Sequence, residues 1–416
     1  MASASFAPLR HRSFALALGS NFISSTGTWM QSVALGVYLT VTTHNPLWLG
    51  LLTLAAWLPA LIGSPLGGIM ADRYSRQRWI QLNNLIMATT ATALAVAELT
   101  HHLSAPLACY LAIAEGFCGS ASWAAWQSLL LDLVGPGEVL AAVSLGSAQF
   151  NLGRIIGPVL AAGALAVGSP GWCFVANAVS FIIVVVAFSF VRSPLRERVT
   201  TRLAMVGDTL VGIRVMWRTR GCRNAIVAVG TVALLVSPFI TLVPAMAIDV
   251  LHSGKVGTSW LVTGQGVGAV IGALTLPAIA RRTSRLAVLR GSMVAMALAE
   301  ALYAYAPTLL LSALALVVLG ATYVGTLTGL NTSVQLHAPS TERSRILSLY
   351  VLSLSLFYPI GAVVQSALAR DVGVRMVTLG AALTFGVVVA LLSFFRPQYW
   401  REMGISPAQM EVSVAD

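Results

Sequence analysis

Charge is what this chain of 416 residues has least of: 9% is Asp, Glu, Lys or Arg, while 57% is hydrophobic. A soluble globular domain carries roughly 25% charged residues to meet water, so an ordinary wet surface is excluded. Cysteine is scarce too. Cys109, Cys118, Cys173 and Cys222 form no CxxC pair and no zinc spacing, so neither a disulfide framework nor a metal site is expected. No G-x-x-x-x-G-K-[ST] loop occurs, and ATP is therefore not an evident energy source. A nucleophile–base pair is missing as well. No catalytic residue and no cofactor is assigned, and an enzyme has little support.

What is present is apolar length. Runs of about 20 residues or more recur along the chain, as a bilayer core requires of a helix, and they lack the short alternating pattern of barrel strands. The reading is an all-α integral membrane protein with about twelve spans. They lie roughly at 13–40, 47–70, 79–100, 104–131, 139–167, 171–191, 223–250, 256–280, 286–306, 308–336, 345–369 and 372–395. The first run is too long for a signal-peptide core.

Acids number 14 against 25 basic residues, for a net charge of +11, and the placement of the basic residues explains the excess. Arg10, Arg12, Arg73, Arg76, Arg78, the arginines from Arg192 to Arg223, Arg281, Arg282, Arg285, Arg290, Arg343, Arg345, Arg396 and Arg401 all fall on the side of the membrane that carries the N-terminus. Only Lys255, Arg370 and Arg375 fall opposite, and Arg154 sits inside a span. The positive-inside rule then puts both termini and the 192–222 loop in the cytoplasm. The basic balance signals topology, and the expected partner is the lipid bilayer, not nucleic acid.

Four regions are expected: a six-helix bundle over 1–191, a linker over 192–222, a second six-helix bundle over 223–396 and a cytoplasmic tail over 397–416. Within the linker, Leu203, Val206, Leu210, Ile213 and Trp217 recur at helical steps, which suits a helix lying on the membrane surface. The halves echo each other. At an offset of 209 residues, ADRYSR (71–76) falls on ARRTSR (280–285), and Gly157-Pro158 has a looser counterpart in Pro359-Ile360-Gly361. Such self-similarity is typical of transporters built from related bundles, with the site expected between the halves near mid-membrane.

GGIMADRYSRQR, residues 67–78, interrupts the apolar pattern with two glycines and a knot of charge. Small residues let helix backbones approach, and a carboxylate outside the bilayer favours the positive end of a neighbouring helix. Together they read as a latch. The stretch resembles the signature loop of the major facilitator superfamily. That resemblance implies a cytoplasmic gate formed by Gly68, Asp72, Arg73 and Arg76, with Gly68 as the close-contact residue. Gly153, Gly157 and Pro158 resemble the helix 5 motif of the superfamily's antiporters, although Ala161-Ala162 stands where a glycine is usual. Across both halves the chain resembles the bacterial branch of enterobactin exporters and macrolide efflux proteins.

Glu115 and Arg154 lie deep in consecutive spans, where each unpaired charge costs about 2.5–3.5 kcal/mol. They are expected to meet as a central charge pair, with Glu115 as the proton-exchanging group; a permanent structural pair is the alternative. Glu300 is a second, weaker candidate, while Glu98 and Asp249 read as solvated helix ends. Asn21, Ser25, Thr28 and Gln31 form a polar stripe on the first span that suits either cavity lining or helix–helix hydrogen bonding. Trp123, Trp126, Tyr323, Tyr350 and Tyr358 are further candidates to line a cavity. The resemblance implies a secondary active exporter of a siderophore, macrolide or other drug-like molecule, working by alternating access and proton antiport. It implies a bacterial inner membrane and a functional monomer. A proton-coupled importer or lysolipid transporter of the same fold, and a non-transporting membrane sensor, stay open as alternatives.

Overall fold

The computed structural model describes residues 6–192 and 205–404; the side chains of Asp72, of residues 205–210 and of Gly404 lie outside the described set. Everything regular among the described residues is helical. The chain divides into two compact units, one of residues 1–202 with 252–263 and the other of residues 203–251 with 264–416.

The first unit contains α1 (Arg12–Thr43), α2 (Leu47–Trp57), α3 (Ala60–Arg73), α4 (Arg76–Leu99), α5 (Ala105–Asp132), α6 (Val139–Val167) and α7 (Gly171–Phe190). The span expected over 47–70 is present as one apolar stretch, Leu47–Ala71, with a local interruption between α2 and α3, where Pro59 supplies no amide donor. Serines start the next two helices. Ser75 Oγ accepts from the Arg78 amide at 3.4 Å, and Ser104 Oγ from the Leu107 amide at 3.4 Å, each occupying one of the orphan donors of a helix start.

The second unit contains α8 (Met205–Arg218), α9 (Arg220–Thr231), α10 (Phe239–Ala245), α11 (Gly254–Arg282), whose first turns belong to the first unit, α12 (Arg285–Tyr305), α13 (Leu309–His337), α14 (Arg343–Val372), α15 (Val374–Phe395) and α16 (Pro397–Gly404). The stretch expected as one helix over 223–250 is irregular: π-turns at Val232–Val236 and Met246–Val250 flank α10. Gln365 Nε2 on α14 compensates by donating to the carbonyls of Leu234 at 3.2 Å and Leu235 at 2.7 Å. Displaced backbone groups at membrane depth need such partners.

The 209-residue echo has a structural counterpart. Ser284, the equivalent of Ser75, also caps its helix, accepting from the Ala287 amide at 3.0 Å. Of the surface-helix positions, Leu203 and the side chains of Val206 and Leu210 lie outside the described residues, while Ile213 is partly buried and Trp217 is 57% exposed. The start of the expected tail is not loose chain. It forms α16, which docks through buried Trp400 and through Glu402, the acceptor of hydrogen bonds from Asn224 at 2.8 Å and Arg220 at 3.2 Å.

Ten helical segments among the described residues are long and apolar enough to cross a membrane. α1 and α5 have the length but not the apolarity. Asn21, Ser24, Ser25, Thr28 and Gln31 interrupt the first, and Glu115, Ser120, Ser122 and Gln127 the second. These two helices carry the centre of the candidate site.

Candidate functional site

Four helices of the first unit converge on Glu115, which stands well inside α5 and is partly buried. Gln31 Nε2 of α1 donates to Glu115 Oε2 at 2.7 Å. The Thr90 hydroxyl of α4 is shared between Glu115 Oε1 at 3.2 Å and its own helix's Met87 carbonyl at 2.9 Å. Asn177 Nδ2 of α7 donates to Gln31 Oε1 at 2.9 Å, and Ser180 Oγ lies 3.0 Å from Asn177 Oδ1. Gln31 and Asn177 are 3% and 0% exposed. One carboxylate is thereby wired through a hydroxyl to α4 and through neutral amides to α1 and α7, in surroundings that strengthen each bond.

The direct Glu115–Arg154 pair does not form. Helix α6 packs lengthwise on α1, so Arg154 meets α1 instead, its guanidinium 5.4 Å from the centre of the Trp29 ring. Trp29 and Phe150 stack edge to face at 6.2 Å, and Phe150 lies 5.4 Å from Trp123. The result is an aromatic shelf bearing a cation, an arrangement worth about 0.5–2 kcal/mol to the guanidinium. Trp123 is exposed, whereas Trp126 is 3% exposed and belongs to a core with Phe14, Leu129 and Phe188; its assignment as cavity lining is corrected.

The glycines of α6 explain the α1 contact. A Cβ at Gly153 would lie 2.7 Å from Ser25 Oγ, and one at Gly157 would lie 2.6 Å from the Thr26 carbonyl oxygen. Pro158, buried beside them, withholds one helical amide donor without ending the helix. Gly157→Val is therefore expected to lower stability by about 1–3 kcal/mol through overpacking. Gly163→Ala, with nothing within 4 Å of the added carbon, should not lower the thermal midpoint in detergent, since alanine favours the helix over glycine.

The polar stripe divides its labour. Asn21 Nδ2 donates to the Ala17 carbonyl at 3.2 Å and Thr28 Oγ1 to the Ser24 carbonyl at 2.9 Å, both within α1. Ser25 faces Gly153. Of the four, Gln31 reaches the carboxylate.

At the charged turn, Arg76 forms an ion pair with Asp132 at the end of α5, and Arg73 is exposed. Asp72 ends α3 with Arg73, and its side chain lies outside the described residues. The close-contact glycine is Gly67, where a Cβ would strike the Ala121 backbone; Gly68 has nothing within 4 Å. Glu98 is not a solvated helix end. It is 8% exposed and accepts from the Gly171 amide at 3.0 Å and from Ser169 Oγ at 2.9 Å, placing a carboxylate on the positive end of α7.

In the second unit Tyr323 is buried, with its hydroxyl 2.9 Å from Ser237 Oγ and its ring edge-on to Phe239 at 6.3 Å. Tyr350 is also buried and donates to the Leu327 carbonyl at 2.8 Å; Tyr358 is partly buried, 3.1 Å from Thr241 Oγ1. All three are tied into the protein by their hydroxyls. Glu300 is fully buried, and neither of its oxygens has a hydrogen-bond partner.

Sequence reasoning missed Asp132, Thr90 and Asn177. A signal existed for Asn177, the lone side-chain amide in the otherwise apolar α7. It also passed over a second glycine ladder, Gly264, Gly268 and Gly272, whose four-residue spacing matches the approach of α11 to the α13 backbone. No cluster of metal-ligating side chains occurs among the described residues.

Solved structures share this fold. The nucleoside transporter NupG superposes with a TM-score of 0.75 at 15% identity, covering 92% of this chain and 99% of its own. A bacterial homologue of the lysosomal transporter Spinster gives 0.71 at 15% identity, covering 95% and 99%. Ten helical segments of this length and apolarity define a multi-pass membrane protein. A family model described as transmembrane secretion effector matches residues 3–414, and the chain belongs to that family of major facilitator superfamily transporters. It is related to the enterobactin-exporter branch: the enterobactin exporter EntS of Citrobacter koseri is 25% identical over 397 residues, 92% of this chain and 91% of that protein. The multidrug efflux pump Tap of Mycolicibacterium fortuitum is 25% identical over 372 residues, 86% and 88%.

Proposed function

We propose that this chain is a secondary active exporter in a bacterial inner membrane, moving a siderophore, macrolide or similar drug-like molecule outward by alternating access while protons move inward. We take it as a twelve-span monomer, the sum of the ten apolar spans with α1 and α5, with both termini in the cytoplasm and the domain boundaries read from the sequence. Export is favoured over import by the relatives, which are named as exporters and efflux pumps.

The observation that carries the reading is Glu115 held by Gln31 and Thr90. Its partial exposure leaves it accessible to protons, whereas Glu300 is sealed. A proton arriving at Glu115 changes the acceptor that Gln31 and Thr90 address, and Asn177 extends that change to α7. Arg154 on the Trp29–Phe150–Trp123 shelf is the element assigned to substrate, since flat aromatic faces with a cation suit planar and acidic aromatic groups. At the signature turn, Asp72, Arg73 and Arg76 are assigned to gating.

Inverted membrane vesicles test it. With an imposed inward-acid gradient, a fluorescent siderophore, macrolide or dye should accumulate, and an uncoupler should abolish accumulation. Accumulation that is indifferent to the uncoupler for every substrate would overturn proton coupling.

A further inference from the structure

At one end of the second unit, α11, α12 and α13 enclose a cavity of about 680 Å³. The glycine ladder sets its position. A Cβ at Gly264 would lie 3.1 Å from the Ala313 carbonyl oxygen, and at Gly268 and Gly272 it would strike the backbone of Val317 and Ala321. The ladder stops there. Beyond it α11 carries Leu276, Pro277 and Ala280, the backbones no longer nest, and the space opens.

The cavity has two chemical ends. Leu276, Leu286 and Leu289 form apolar walls, while Arg281 and Arg285 stand at the charged end, where Thr328 and Thr332 add hydroxyls. No acid lines it among the described residues, and neither arginine has an ion-pair or hydrogen-bond partner there. Beside it on α11, Ile271, Leu274 and Ile279 are exposed apolar side chains. Met403 of α16 closes one side, pinned by the Ser333 hydroxyl donating to its carbonyl at 3.0 Å.

Arg285 is the counterpart of Arg76, which is neutralised by Asp132. At the helix ends themselves, His337 closes α13 where Asp132 closes α5. The second unit has the cation but no carboxylate at that helix end.

We propose that this cavity binds an anionic phospholipid of the bilayer, its phosphate held between Arg281 and Arg285 and the upper part of one acyl chain against the leucines. Guanidinium forks match phosphate oxygens in pairs, and basic pockets between spans on the cytoplasmic side take anionic headgroups. An apolar cavity beside the bilayer is filled by hydrocarbon in preference to water. The site is independent of the transport site proposed above.

Purified protein titrated with phosphatidylglycerol or phosphatidylcholine, and read by thermal shift, tests this. Phosphatidylglycerol should raise the midpoint and phosphatidylcholine should not. Arg281→Gln with Arg285→Gln should weaken the phosphatidylglycerol response about thirtyfold, the loss expected for two surface cations. Arg343→Gln with Arg396→Gln, removing the same charge elsewhere, should retain it. Leu276→Trp, which fills the apolar end, should weaken the lipid response as well. An undiminished response in the Arg281/Arg285 double variant, an equal response to phosphatidylcholine, or the same stabilisation by inorganic phosphate alone would each overturn the proposal. If the double variant does not fold, native mass spectrometry of the unaltered chain decides: preferential retention of phosphatidylglycerol supports the site, and equal retention of both lipids refutes it.

Discussion

Glu115→Gln is expected to cut gradient-driven efflux about tenfold or more, within the range typical of coupling between two binding events, while leaving substrate binding in place. Glutamine keeps the side chain's shape but cannot exchange a proton, and it presents an amide donor where a carboxylate only accepts. Its carbonyl oxygen can still accept from Gln31 Nε2, and its new donor can address Thr90 Oγ1, whose hydroxyl donates to the Met87 carbonyl. The hydrogen-bond network, with Asn177 Nδ2 at 2.9 Å from Gln31 Oε1, is therefore kept while the exchangeable proton is lost. Transport in proteoliposomes separates the outcomes: downhill flux retained with uphill flux lost is the expected pattern. Uphill export at the original rate and with the original pH dependence would remove Glu115 from coupling.

Breaking the Arg76–Asp132 pair is expected to cost about 3 kcal/mol, the lower end of the range for a buried ion pair left with one partner. The side chains are 15% and 10% exposed, so the remaining charge has little water to turn to. Arg76→Ala and Asp132→Ala should each lower stability, and the double alanine variant should be less damaging than the sum of the two. Reversal, Arg76→Asp with Asp132→Arg, should recover most of the loss. It keeps both charges within reach and gives the start of α4 an acid and the end of α5 a base, the signs each helix end favours. Denaturant or thermal unfolding in detergent measures all four. Strict additivity would show that the pair contributes nothing as a pair.

Helix existence was open to sequence reasoning because it depends on local terms. Apolar run length demanded spans, and Ser75 and Ser284 stood at equivalent helix starts within the echoed turns. Gln31 was legible as a polar intruder, but its partner was not: Glu115 is 84 residues away, and depth alone suggested Arg154 instead. Depth says how far two side chains lie along the membrane normal; it says nothing about which helices are neighbours. The same blindness applied to Glu98, whose position near a helix end suggested solvent while the start of α7 was its actual surroundings. Gly67 and Gly68 are indistinguishable in sequence, since one residue of helical rotation decides which of them meets Ala121.

From its sequence alone this chain was bound to be a membrane-embedded bundle of helices, because so few charges leave no other way to satisfy its backbone and surface. Tertiary structure decided which polar side chains meet. Neighbour choice follows from the fit of glycine faces against backbones such as Gly157 on Thr26, and that fit arises between segments far apart in the chain.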